Sequence, residues 1–264
     1  MGVVRRALFA ALHGGRRALE TAARAPHYAA VGLIRREDLL RAREHCWRRF
    51  GELQGVDGDA YTLMDWEQRL FDRFLRRDDR ILLVGCGTGR DLFGLLERGH
   101  RAEGLDLVPA LVERARELLA ERGHRPPLHA GAIESTELPG VFDAVIFSWY
   151  CYSYVPGRRT RVATLARIRR HLAPGGRILI SYVRRSRDPR RLPVLIARAA
   201  GRISGSDWRL EPGDTVLLPE SRMEAAHYEH AFTEGEIEQE AIDAGLAVVF
   251  HDRRDEGLIV LAVP

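Results

Sequence analysis

Three glycines at alternate positions, Gly85, Gly87 and Gly89, follow the apolar run Ile81 to Val84 and lead into Arg90-Asp91. Without a Cβ, such a turn can bring its backbone close to a ligand. Asp106 lies seventeen residues beyond Gly89, about one helix and one strand further on. Its two carboxylate oxygens can accept bonds from both hydroxyls of a ribose. A second group, Ser148-Trp149-Tyr150-Cys151-Tyr152, sets aromatic and hydroxyl side chains at the end of another apolar run. His227 and His230 flank Tyr228 in an extended-looking segment, and one of them is the best candidate for a general base. Together these residues offer nucleotide-type binding beside a site able to move a proton.

The elements that position them follow from the pattern. Ile81 to Val84 is a short unbroken apolar run, the mark of a strand buried on both faces of a parallel sheet. Asp91 to Glu97 has helical spacing and stops at Gly99. A strand ending on Asp106 is followed by a helix from Val108 to Arg122, closed by Gly123. Further strands are expected at Leu128 and at Asp143 to Phe147, then a helix over Arg158 to Leu172 and a strand over Arg177 to Val183. Residues 214–218 and 226–232 read as a strand pair. A helix opens at Thr233 and stops at Gly245, and Leu246 to Phe250 and Leu258 to Val263 form a closing hairpin.

The glycine spacing is G-x-G-x-G. The dinucleotide fingerprint needs its third glycine at Arg90 instead. The run RILLVGCGTG resembles motif I of the class I S-adenosylmethionine-dependent methyltransferases. Phe142-Asp143 with the following apolar residues resembles motif IV, and HLAPGGRILIS resembles the segment before strand five. The resemblance covers residues 80–183 and 231–264 in order and spacing. It implies an α/β, Rossmann-like class I methyltransferase fold: a mostly parallel seven-stranded sheet with an antiparallel C-terminal strand and helices on both faces. It implies S-adenosyl-L-methionine as cofactor, held by Gly85, Gly87, Gly89, Asp91, Asp106, Ile133, Ser148 and Trp149. A sulfonium is a cation without N–H donors, which suits ring faces at Trp149 or Tyr150. His230, His227 and Tyr150 are the catalytic candidates. Two acids usual in the family are replaced by Leu83 and Ala132, with Asp91 as the stand-in for the first and Glu134 or backbone groups near Ile133 for the second. No metal is expected, and Cys151 lacks the preceding proline of cytosine C5 enzymes.

The remaining chain is divided into a basic arm and helical cap over residues 1–79 and a methyltransferase domain over 80–264, with 184–230 as a substrate lid. Trp66 and Tyr61 sit in the cap, where core packing is favoured over facing the substrate pocket. All 41 basic residues are arginine, yet residues 1–36 alone carry seven of them against Glu20, a net +6 that leaves the rest at −2. Such an arm is compatible with an anionic membrane or RNA, but a helix packed on the body with a solvated basic face is favoured. Residues 184–202 add another net +6. No apolar run approaches the roughly 20 residues of a membrane span. Three cysteines without metal spacing fit a reduced, cytoplasmic setting. The favoured function is metal-independent methyl transfer to a small-molecule or lipid-like metabolite. An RNA or protein methyltransferase and a non-catalytic scaffold subunit are the alternatives.

Overall fold

The computed structural model describes residues 2–53, 62–185, 191–218, 223–253 and 257–264. Two compact units emerge, one of residues 1–38 with 189–212 and one of residues 39–188 with 213–264. The boundaries differ from those the sequence suggested. The segment 39–79 joins the sheet-bearing unit, and the expected lid is split between the two.

The larger unit is built on a sheet of seven strands: β1 (Arg80–Val84), β2 (Arg101–Asp106), β3 (Leu128–Ala130), β4 (Phe142–Phe147), β5 (Leu172–Tyr182), β8 (Ala247–Asp252) and β9 (Gly257–Ala262). Their order is β3-β2-β1-β4-β5-β9-β8. The first five strands in that order run parallel, and β9 runs antiparallel between β5 and β8. Successive residues of β1 face opposite sides. Ile81 and Leu83 pack with α3 (Asp65–Phe74), α4 (Arg90–Glu97) and α5 (Pro109–Glu121). Leu82 and Val84 pack with α6 (Arg158–Arg169) and α8 (Glu236–Asp243). Burial on both faces is why this strand reads as an unbroken apolar run. It also explains Leu83, which is fully buried and has no room for an unpaired acid. Strand β5 begins earlier than expected, at Leu172, and absorbs the Pro-Gly-Gly turn. Strands β6 (Asp214–Leu217) and β7 (His227–His230) form a separate antiparallel pair with Asp214 opposite His230. Tyr61 lies outside the described residues, whereas Trp66 is half-buried, its indole N–H on the Met64 sulfur.

The smaller unit holds α1 (Gly2–Leu33) and α7 (Arg191–Ser204). Helix α1 runs through Gly14-Gly15 and Pro26 without a break. The two helices cross at Gly32, where a Cβ would stand 2.2 Å from the Ala197 carbonyl oxygen. Ser206 Oγ donates to the Ile34 carbonyl at 2.6 Å, and Val31, Ile34, Ala197 and Trp208 are buried.

Candidate active site

The carboxyl ends of β1, β2 and β4 meet at the glycine turn. Gly85, Gly87 and Gly89 all have positive φ, at 78°, 52° and 98°. The turn hangs from the neighbouring strand: the N–H groups of Gly85 and Cys86 donate to the Leu105 carbonyl at 2.7 and 3.2 Å. Asp106 then fixes it from below. Its Oδ2 accepts the Gly87 N–H at 2.8 Å and its Oδ1 accepts the Val108 N–H at 2.9 Å. Burial pushes the Asp106 carboxyl upward, against the pull of those two amide bonds. A Cβ on Gly87 would meet no atom within 4 Å, so the turn faces open space.

Gly85 is constrained differently. Its φ of 78° is left-handed and a Cβ would stand 2.1 Å from Cys151 Sγ. Left-handed strain and overpacking together cost about 2–5 kcal/mol. Gly85→Ala is therefore expected to lower the urea midpoint sharply, and adding Cys151→Ala is expected to restore part of the loss. An unchanged midpoint would contradict this geometry.

Asp91 opens α4 from a buried position. The Ser148 hydroxyl donates to its Oδ2, and Arg90 pairs ionically with its Oδ1, which accepts no hydrogen bond. Burial first, and the nearby Glu67 second, raise its pKa to about 6. Arg90 in turn forks onto Glu67, at 2.8 and 2.7 Å, and lies 5.8 Å from the Trp149 ring centre. Trp149 and Tyr150 have φ of 42° and 62°, an unusual pair of left-handed non-glycine residues. Their backbone is held by the Ser181 hydroxyl on the Tyr150 N–H and by the Cys151 N–H on the Ser148 carbonyl. Strain of this kind collects where side chains must be presented at a site. Both side chains are half-buried. Ile133 is buried beside the third strand, and the Ala132 carbonyl accepts the Ser135 and Thr136 N–H groups.

Helix α2 (Arg36–Leu53) supplies residues that sequence reasoning missed. Arg43 pairs with Glu134 at 2.7 Å and donates to the Tyr154 carbonyl at 3.0 Å. The Arg43 Nε and both Glu134 carboxylate oxygens are buried without hydrogen bonds. Along the same helix, Cys46 Sγ lies 3.2 Å from His227 Nδ1. Trp47 stands edge-on to Tyr154 and to His227, with ring centres 4.8 and 6.4 Å away. The signal was present as the spacing of Arg43, Cys46 and Trp47 on one helical face.

The two histidines separate. His227 is half-buried in the aromatic group, and its Nε2 has no hydrogen bond among the described residues. His230 is completely buried. Its Nδ1 bonds Asp214 at 2.7 Å and its Nε2 bonds Glu236 at 2.9 Å. Burial opposes its charge, but those two carboxylates outweigh it and raise its pKa, while Glu236 is brought down to about 2. With both ring nitrogens committed, His230 has no lone pair for a substrate proton. The expectation that it serves as base is corrected. Its place is structural, bridging Asp214 of β6 and Glu236 of α8. Cys151 is also no nucleophile, because burial pushes its thiol far up.

Comparison with known proteins agrees with this arrangement. Residues 81–176 match a family model described as a methyltransferase domain. The ribosomal protein L11 methyltransferase of Thermus thermophilus is 29% identical over 117 residues, 44% of this chain and 43% of that protein. A ubiquinone biosynthesis O-methyltransferase of Xylella fastidiosa is 34% identical over 109 residues, 40% of this chain and 43% of that protein. The aklanonic acid methyltransferase DauC of a Streptomyces strain is 36% identical over 153 residues, 55% and 59% of the two chains. The chain thus spans about half the length of these relatives. Among solved structures, a SAM-dependent methyltransferase from Methanosarcina mazei superposes with a TM-score of 0.58 at 17% identity, over 74% of this chain and 98% of that one. The glycopeptide N-methyltransferase MtfA, in complex with sinefungin, gives 0.56 at 19% identity, over 80% and 89%. On its match to a methyltransferase-domain model over residues 81–176, its motif sequence, its strand order with the antiparallel β9, and the glycine turn seated on Asp106, the sheet-bearing unit carries a methyltransferase domain with the fold of the S-adenosylmethionine-dependent methyltransferases.

Proposed function

We propose that this protein binds S-adenosyl-L-methionine and methylates a small organic acceptor. The observation that carries the reading is the pair of carboxylates around an open glycine turn. Asp106 anchors the turn, and Asp91 keeps a buried Oδ1 that accepts no hydrogen bond and is met only by the Arg90 guanidinium. That donor set fits the cofactor: Asp106 for ribose hydroxyls, Asp91 for an ammonium group, and the Gly85–Gly89 backbone between them. Ile133 contributes apolar wall, Ser148 orients Asp91, and Trp149 with Tyr150 offers ring faces to a cation. When bound, the cofactor supplies an electrophilic methyl group.

On the acceptor side, Trp47, Tyr154 and His227 form an aromatic group suited to a flat, apolar molecule. His227 is the proposed base. Its Nδ1 is held by Cys46, which leaves Nε2 to take the acceptor's proton. The chain's contribution is otherwise positioning and exclusion of water. The similarity to ubiquinone biosynthesis and aklanonic acid methyltransferases supports a small acceptor, and the similarity to a ribosomal protein L11 methyltransferase keeps a protein acceptor as the second reading. Three free thiols suit a reducing, cytoplasmic compartment.

Calorimetric titration with S-adenosylmethionine and S-adenosylhomocysteine, with NADH as control, tests the cofactor. Binding of both sulfur ligands and not of NADH is expected, and absence of binding sinks the enzyme reading.

Asp91 also gives the site a pH dependence. Its folded pKa of about 6 lies above the usual carboxylate value, so the native state holds this proton more tightly than the unfolded chain. Ionised Asp91 therefore subtracts stability as pH rises toward and through 6, and an ammonium partner relieves that cost. Cofactor affinity is expected to be level above pH 7 and to weaken by up to about tenfold per pH unit below 6. Binding near pH 6 should release a proton, seen as a dependence of the heat on buffer ionisation. Asp91→Asn should remove both effects. If the slope persists in that variant, Asp91 is not the ammonium partner.

A further inference from the structure

Helix α1 leaves its own apolar residues uncovered. Val4, Leu8 and Leu12 recur every four residues, and Phe9 lies beside them. They are 73%, 59%, 67% and 71% exposed. The expectation that this helix would bury its apolar face is not met over these turns. Single exposed apolar residues are ordinary, but a contiguous stripe rimmed by charge marks a contact surface. The rim here is Arg5, Arg6 and Arg16, all exposed, and no acid occurs before Glu20.

The partner helix repeats the pattern. One face of α7 packs on α1 through Ala197, Ala200 and Gly201. Its other face exposes Leu192, Leu195 and Ile203 at helical spacing, with Arg202 alongside. At about 1.5 Å per residue, the 14-residue α7 cannot cover the 32-residue α1. The surplus is the apolar, arginine-rimmed N-terminal half.

We propose that this two-helix unit docks on an anionic phospholipid surface, lying in the interface with Val4, Leu8, Phe9 and Leu12 at the acyl boundary and Arg5, Arg6 and Arg16 among the headgroups. The charge pattern selects this occupant. An anionic bilayer offers apolar depth and negative headgroups at the same level, which is what an arginine-flanked amphipathic helix reads. RNA would satisfy the arginines but leave four large apolar side chains in water. A second copy of the chain would bring like charges together without an acid to meet them. Among the described residues, no helix is long and apolar enough to cross a membrane, in keeping with a helix that lies on the surface. The inference does not depend on the proposed chemistry of the sheet-bearing unit.

Co-sedimentation of the full chain with phosphatidylcholine vesicles, with and without phosphatidylglycerol, tests it. Partition onto the anionic vesicles only, weakened by salt, is expected. Arg5→Gln with Arg6→Gln should weaken partition by about 30-fold, at about 1 kcal/mol per arginine. Leu8→Glu with Leu12→Glu should lose it altogether while circular dichroism stays unchanged, since both positions are exposed. A Phe9→Trp reporter, which needs no disruptive change, should shift its emission to the blue on anionic vesicles and not on neutral ones. No partition and no shift would overturn the proposal, as would partition that survives the double glutamate change. Concentration-dependent self-association abolished by the same pair would also overturn it, by assigning the stripe to a second copy.

Discussion

Asp106→Ala is expected to weaken binding of S-adenosylhomocysteine by at least about a hundredfold. The carboxylate is nearly buried and serves two ends at once. Toward the protein it accepts the N–H groups of Gly87 and Val108 at 2.8 and 2.9 Å, which sets the height of the glycine turn above β2. Toward the proposed cofactor, its remaining lone pairs would accept the ribose hydroxyls. Hydrogen bonds to a charged group are worth about 1.5–3 kcal/mol each, so losing two of them exceeds the 2.7 kcal/mol of a hundredfold change. The turn also loses its anchor, leaving two buried N–H groups without acceptors, and the unfolding temperature should fall with the affinity. Asp106→Asn separates the two roles. One amide oxygen can still hold a backbone N–H, whereas the amide nitrogen must face the other donor. Its affinity loss should be smaller, near tenfold, with stability closer to the parent. Isothermal calorimetry beside thermal melts measures both. Affinity unchanged in Asp106→Ala would remove Asp106 from the cofactor site and leave it a turn anchor only.

The parts of this molecule legible in its sequence are those whose signals are local. The apolar run of β1, the alternate glycines, Asp106 at the end of β2 and the C-terminal hairpin each depend on neighbours a few residues away, and each stands where the pattern places it. The cost of two helical glycines is about 1 kcal/mol each, which packing can override, and α1 runs straight through Gly14-Gly15. The candidate site was legible on its cofactor side and obscure on its acceptor side. Arg43 and Glu134 meet across ninety-one positions of sequence, and Cys46 meets His227 across a separation of 181. Nothing in the local pattern of β7 distinguishes His227 from His230. The register of β7 on β6 makes the distinction, by setting Asp214 against His230, and the start of α8 completes it with Glu236. Alternation along the strand separates the two rings as well, because a separation of three residues places them on opposite faces.

The same buried network sets the other large expectation, which concerns stability. Arg161 is fully buried and forks onto Glu240, with Nε and Nη2 at 3.0 and 2.8 Å from Oε1. Glu240 also accepts the Tyr152 hydroxyl at 2.7 Å, and the guanidinium lies 5.1 Å from the Phe232 ring centre. This pair ties α6 to α8 beneath the carboxyl end of the sheet. Arg161→Met removes one charge and leaves the Glu240 carboxylate in the core with only a hydroxyl for company. Breaking a buried pair in this way costs about 3–5 kcal/mol. For a chain of this size each kcal/mol corresponds to roughly 2–4 °C, so the melting temperature should fall by about 6–20 °C. Removing both charges is a different experiment. In Arg161→Met with Glu240→Met no ion remains to be desolvated, and apolar side chains of similar length fill the space. The double variant should recover most of the loss, because the attraction between two buried charges barely exceeds the cost of taking them out of water. Chemical denaturation of the four members of this cycle reads the coupling directly. If the double variant is as unstable as the sum of the two single ones, the pair carries no coupling, and Arg161 and Glu240 stabilise the fold through separate contacts.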